Sequence, residues 1–410
     1  MHDLSGQSIA RIDRARRDLI RPNRHRQVAP VSVAAWDVPD EPVSFDHARE
    51  QQFADFPAGT SWGRPWGTTW LRIDGTVPEH WPSTARIELI VELGFIGDRV
   101  GAQCEGLVFA EDGHIVKGIE PYSSYVRIAE RPGGGFRRYV EAASNPDVPR
   151  GWTFTPTPLG DPATAGSDPL YRFGGAQLAL VDESVVALDN DVSVLRGLVD
   201  TLAAHAPRRA RILRALEEAV DALDPDDVAG TADAARQVLA PVLAAHGATD
   251  VHRVIAIGHA HIDSAWLWPV RETKRKIART FANVLALMDD YPDFVFAASS
   301  AQQYQWLQES YPELFERVRT RVREGRFVPV GGMWVESDTN MPGGEAMVRQ
   351  FVAGKAFFET EFGVDPGEVW LPDSFGYSAA LPQIVTAAGC RYFLTQKTSW
   401  NDTNRMPHHT

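Results

Sequence analysis

Between residues 252 and 395 the apolar positions switch repeatedly between two rhythms. Short apolar runs at 254–257, 294–298, 327–330, 369–371 and 392–395 read as strands. Between them, 274–290, 304–324, 345–362 and 381–388 carry apolar residues at helical spacing. Ile277, Phe281, Leu285 and Met288 make one stripe of the 274–290 helix, ahead of Pro292. Gly325 and Gly363 stand where helix C-caps are expected. Strands alternating with helices of this length predict parallel βαβ units. In such folds, sites collect at the C-terminal ends of the strands. Five strand candidates precede Thr410, so a (β/α) barrel would be unfinished there. That pattern predicts the N-terminal portion of a longer protein.

Upstream the texture differs. Residues 69–76, 85–95, 106–110, 114–116 and 177–181 are short alternating or apolar runs, separated by Pro, Gly and Asp clusters. This rhythm predicts an all-β sandwich or jelly roll over 30–190. Arg131-Pro132-Gly133-Gly134-Gly135 suits a hairpin tip and lacks the Lys-Ser/Thr of a phosphate loop. From 191 to 250 the spacing turns helical, through Leu195, Leu198, Leu202, Leu213, Leu216 and Val220, with a break at Asp224-Pro225. A further helix is expected over 234–246, disturbed at Pro241. Residues 6–20 read as a weak amphipathic helix. The expected order is therefore an N-terminal helical segment (1–29), a β-sandwich accessory domain (30–190), a helical connector (191–250) and the (β/α) catalytic domain (251–410).

Composition narrows the function. Forty-one Lys and Arg against 54 Asp and Glu give a net charge of −13, with no basic patch interleaved with aromatics. Nucleic acid and an anionic membrane surface are thereby disfavoured as partners. Cys104 and Cys390 are the only cysteines, too few for a disulfide framework or a CxxC metal site. The polar start Met1-His2-Asp3-Leu4 carries no signal-peptide pattern, and no apolar run is long enough to span a bilayer. These features point to the cytoplasm. Self-association stays open.

The strand ends carry the chemistry. His259, His261 and Asp263, at alternate positions after 254–258, would project from one face of a strand, and two imidazoles with a carboxylate suit a divalent metal. Trp266 would wall that ion. Later ends bring Trp334, Glu336 and Asp338, then Trp370, Asp373, Ser374, Phe375 and Tyr377, then Gln396, Lys397, Trp400 and Asn401. Carboxylates, amides and aromatics on one rim suit a sugar. Plainer readings exist for each. His259 alone suits a core or supporting histidine, and Glu336 and Asp338 suit charges at the N-terminus of the helix starting near Gly343. Asp373 suits a turn residue, and Trp266 and Phe375 suit core aromatics.

Two motifs about 110 residues apart, His261-Ile262-Asp263 with Trp266 and Trp370-Leu371-Pro372-Asp373-Ser374-Phe375-Gly376-Tyr377-Ser378, resemble the zinc-dependent α-mannosidases of glycoside hydrolase family 38. Residues 330–345, 394–400 and Pro65-Trp66-Gly67-Thr68-Thr69-Trp70 fit the branch with cytosolic, vacuolar and bacterial enzymes. The resemblance implies one Zn2+ held by His261, Asp263 and Asp373, with Asp373 also the catalytic nucleophile. Trp266 and Phe375 would bind the mannose ring; Asp338 and Trp334 are further substrate-contact candidates. It implies retaining hydrolysis of terminal α-linked mannose from oligosaccharides through a covalent mannosyl–enzyme intermediate. A fourth zinc ligand, a histidine, and the acid/base carboxyl are expected beyond Thr410, and neither role is moved onto His408 or His409. The rival readings are a zinc-dependent carbohydrate deacetylase on a related barrel and an inactive sugar-binding fragment.

Overall fold

The computed structural model describes residues 5–97, 100–149, 153, 155–245 and 254–403; His408 and His409 lie outside them. The jelly roll consists of two antiparallel sheets. One has the spatial order His25–Pro30, Gly175–Val181, Ile87–Glu92, Tyr125–Ile128. The other runs Ala54–Asp55, Ser32–Asp37, Gly67–Thr76, Gly135–Ser144, Glu105–Ala110, Ile115–Ile119. Period-2 alternation sends Leu71 and Ile73 into the sandwich core with Leu89, Val91, Val126 and Leu178, and Trp70 to the opposite face. Arg131–Gly135 does form a tight turn, Gly134 N donating to Arg131 O at 2.8 Å. It is not a hairpin tip, because the flanking strands Tyr125–Ile128 and Gly135–Ser144 belong to different sheets.

The helical unit also departs from the expected boundaries. Its first helix is Glu183–Thr201, begun by Asp182, whose carboxylate accepts from Val185 N at 3.0 Å. The connector thus starts before residue 191. Helix Ser5–Ala15 is not a separate unit: Ile12 and Ile20 share a core with Val185, Leu188, Leu216 and Leu239 from helices Glu183–Thr201, Pro207–Asp221 and Val228–Leu243. The last of these starts earlier than its apolar spacing suggests because Asp227 caps it, accepting from Gly230 N at 2.9 Å. It ends two residues past Pro241.

In the third unit the parallel strands Gly258–His259, Phe296–Ala298 and Phe327–Pro329 form one sheet, and Glu368–Trp370 pairs in parallel with Tyr392–Leu394. Helices Val270–Asp290, Ala301–Ser310, Pro312–Arg323, Gly344–Phe362 and Leu381–Ala387 connect them. The helical stretch expected at 304–324 divides at Pro312, which lacks the N–H a continuous helix needs. Gly363 closes its helix in the left-handed conformation, φ +67°. The run 254–257 is not a strand. Val254 is 85% and Ile255 77% exposed, and pairing begins only where Gly258 N donates to Val295 O at 2.9 Å. No helix among the described residues is long and apolar enough to cross a membrane.

Helix Val270–Asp290 joins the jelly roll to this unit. Ile277, Phe281 and Leu285 pack in one core with Trp70, Leu107 and Phe109 from the outer face of the six-stranded sheet. An amphipathic helix ordinarily turns its charged side to water. Here Glu272, Arg275, Lys276 and Arg279 are buried as well. Lys276 Nζ and Arg279 Nε each lie 2.7 Å from Glu105, Arg275 Nε lies 3.1 Å from Glu141, and Asn145 Nδ2 donates to Glu272 at 2.7 Å. Three carboxylates and three cations neutralise one another out of water. The contact is close enough that a Cβ on Gly118 would stand 2.8 Å from the carbonyl oxygen of Arg279.

Candidate active site

The strand Gly258–His259 stops before the metal motif, so His261 and Asp263 sit on an irregular loop, not on one face of a strand. They converge all the same. His261 Nε2 lies 3.3 Å from Asp263 Oδ1 and 3.5 Å from Asp373 Oδ2. Asp373 arrives from the turn after strand Glu368–Trp370. Ligand atoms bonded at about 2.0–2.1 Å to one tetrahedral ion stand roughly 3.3–3.5 Å apart. One ligand atom from each of the three residues lies within 4.8 Å of the others, so the donor set fits a small divalent ion.

The other nitrogen of His261 supports that fit. Nδ1 lies 2.9 Å from Glu336 Oε2, leaving Nε2 toward the two aspartates. Metal-bound histidines commonly give their second N–H to a carboxylate, which fixes tautomer and ring angle. Burial works against a charged imidazole here, but the hydrogen bond to Asp263 and the close carboxylates of Asp263 and Glu336 outweigh it, pushing the His261 pKa up to about 10. A metal takes imidazole as the neutral base, so its binding displaces that proton.

Glu336 is itself held in place. Ser299 Oγ donates to Oε1, and Glu336 N donates to Ser300 Oγ at 3.0 Å. Ser300 adopts φ +67°, a left-handed conformation uncommon outside glycine, at the end of strand Phe296–Ala298. His259 lies one step further from the metal motif. Its Nδ1 donates to Ala297 O at 2.9 Å and its Nε2 accepts from Trp370 Nε1 at 3.3 Å, so both nitrogens are engaged.

Lys397, read in the sequence only as one of the strand-end residues, reaches Asp373 directly. Its Nζ lies 2.6 Å from Asp373 Oδ1, so Asp373 is held through one oxygen while the other faces His261. The ammonium also sits 3.6 Å above the Trp400 ring and 4.6 Å above the Phe375 ring. Phe375 and Trp400 meet edge to face at 5.7 Å and are 73% and 63% exposed, an open aromatic shelf beside Asp373. Trp266 meets Trp268 edge to face at 5.0 Å on the metal loop.

Two candidates stand elsewhere. Asp338 is exposed, and its Oδ1 accepts from Asn340 N at 2.8 Å and Met341 N at 3.3 Å, so it holds a local turn. Helix Gly344–Phe362 begins after Gly343, without help from Asp338 or Glu336. Trp334 donates to Gln302 at 2.9 Å and packs edge to face on Phe357, wedged between helices.

Residues 251–410 match the N-terminal domain of glycosyl hydrolases family 38, and residues 29–179 match the alpha-mannosidase jelly roll domain. The chain carries the family 38 N-terminal domain. Human Alpha-mannosidase 2C1 is 39% identical over 389 residues, 93% of this chain and 36% of that protein. Alpha-mannosidase G of Dictyostelium discoideum is 32% identical over 377 residues (90% and 33%), and Alpha-mannosidase of Saccharomyces cerevisiae 32% over 384 (90% and 34%). The chain spans about a third of the length of these relatives. Within the family 38 domain fall His261, Asp263, Glu336, Asp373 and Lys397; the jelly roll match covers the sheet that buries helix Val270–Asp290.

Proposed function

We propose that this chain supplies the metal half of a retaining α-mannosidase site, with Zn2+ held by His261, Asp263 and Asp373. The observation that carries this reading is the convergence of those three residues, with Glu336 behind His261, inside a family 38 domain. The substrate is a terminal α-linked mannose of an oligosaccharide, as the names of the relatives suggest. Zinc, when bound, would hold two cis hydroxyls of the sugar and so favour mannose over its 2-epimer.

The residues of the chain do the rest. Asp373 attacks the anomeric carbon and forms the covalent mannosyl ester, the leaving group departing on the opposite side. Lys397 keeps that carboxylate in one rotamer by holding Oδ1, an effect on its orientation. Phe375 and Trp400 present apolar faces to sugar C–H groups, and Trp266 shields the metal loop. The acid/base carboxyl is not assigned to any residue of this chain: Glu336 is engaged with His261 and Ser299, and Asp338 with its own turn.

Treating the full-length protein with a fluorinated mannosyl inhibitor and mapping its peptides tests the reading. Label on Asp373 is the expected result. Metal-dependent acetate release from an acetylated sugar, with Asp373 unlabelled, would instead identify a deacetylase. A second expectation concerns Glu336→Gln, which keeps shape but loses the charge behind His261. Zinc affinity, measured by competition with a chromophoric chelator, should fall by roughly 10–100-fold. Equal affinity in the variant would remove Glu336 from the site.

A further inference from the structure

The loop 260–269 that carries His261 and Asp263 has little regular structure of its own. Side chains hold it instead. Gln303 Nε2 donates to Ile262 O at 2.7 Å, and Thr273 Oγ1 donates to Ser264 O at 3.2 Å while accepting from Trp268 Nε1 at 2.9 Å. Thr273 is fully buried in the first turn of helix Val270–Asp290. That turn has no side-chain N-cap, Pro269 offering none. What fixes its position comes from the jelly roll. Arg271 Nη2 donates to Trp66 O at 3.0 Å and Nη1 pairs with Glu41; Asn145 Nδ2 donates to Glu272 at 2.7 Å. Further along, Glu141 holds Arg275, and Glu105 holds Lys276 and Arg279.

We infer that the jelly roll is a working part of the metal site: through Asn145, and secondarily through Arg271, it sets the first turn of helix Val270–Asp290, and Thr273 passes that position to Ser264, the residue after Asp263. Asn145 is thus a positioning residue that touches neither substrate nor metal. A ligand loop shifted by a fraction of an ångström loses the 3.3 Å approach of Asp263 to His261, and metal sites respond steeply to such shifts. The inference shares its site with the proposed zinc centre, but the mechanical coupling exists without the ion.

Asn145→Leu and Arg271→Gln in the full-length protein test it. Arg271 is partly exposed, so its variant keeps the fold even where loss of Asn145 does not. Hydrogen exchange is followed over residues 260–290 in metal-free protein, alongside zinc affinity. Each variant should speed exchange of the first-turn amides by roughly tenfold, leave the C-terminal half of the helix unchanged, and raise the zinc Kd by roughly 10-fold. A purely structural loss would raise exchange along the whole helix and would overturn the inference, as would unaltered exchange in both variants. If wild-type protein takes up no zinc, the metal reading fails, while the exchange data still decide the coupling.

Discussion

Asp373→Ala is expected to lower hydrolysis of an aryl α-mannoside by the full-length protein by on the order of 10⁴-fold, mostly in kcat. Two losses combine at this position. The attacking carboxylate disappears, and so does one of the two carboxylates that converge on His261 Nε2. Azide separates them. In a retaining site whose nucleophile is missing, a small external anion can take its place and yield a glycosyl azide of inverted configuration. Rescue by azide with zinc still bound assigns Asp373 the covalent role; no rescue with zinc lost leaves it as a ligand alone. A variant as active as wild type would falsify both assignments.

Glu105→Ala is expected to destabilise the chain by about 3–5 kcal/mol, read as a lowered midpoint in urea. Lys276 has Glu105 as its close carboxylate at 2.7 Å, and Arg279 uses it through Nε. All three are buried, so removing Glu105 strands positive charge out of water, which costs far more than losing a surface pair. Acid should act in the same place. Burial alone would raise the pKa of Glu272, but Arg279, Arg275 and Lys276 outweigh it and hold the carboxyl at about 2. A depressed carboxylate contributes stability above its unfolded pKa of about 4.3, and that contribution is lost as pH falls toward 2. Urea midpoints should therefore drop between roughly pH 4.5 and 2, and less steeply in Glu272→Gln. Equal midpoints for Glu105→Ala and wild type would show that the charge cluster does not couple the domains.

Helix periods were legible because each helix lays an apolar stripe on a core: Ile277, Phe281, Leu285 and Met288 are all buried as their spacing requires. Helix starts were less so, since they depend on caps such as Asp182 and Asp227 that sit outside the apolar pattern. Strand 254–257 failed for a different reason. Apolar composition promises a strand only where a neighbour supplies hydrogen bonds, and the pairing begins at Gly258. Within the site, the residue types at 261 and 263 suggested a metal, and the family resemblance added Asp373; the structure brings the three together. The parts played by Ser299, Ser300 and Lys397 carry no spacing signature, because each acts on a residue from another strand's end, both serines on Glu336 and Lys397 on Asp373.

By itself the sequence determined the layered order of jelly roll, helices and parallel strands, and gathered the candidate ligand side chains near strand ends. Backbone periodicity and residue chemistry are local, so they survive without coordinates. Only the tertiary structure decided which donors meet: His261 with Asp373 across 112 positions, Glu336 behind His261, Lys397 on Asp373. It also decided the fate of the charged side of helix Val270–Asp290. Amphipathic spacing leaves that side for water, but the jelly roll brings Glu105, Glu141 and Asn145 to it. A buried charge is tolerable only beside a partner that the fold, not the neighbouring sequence, provides.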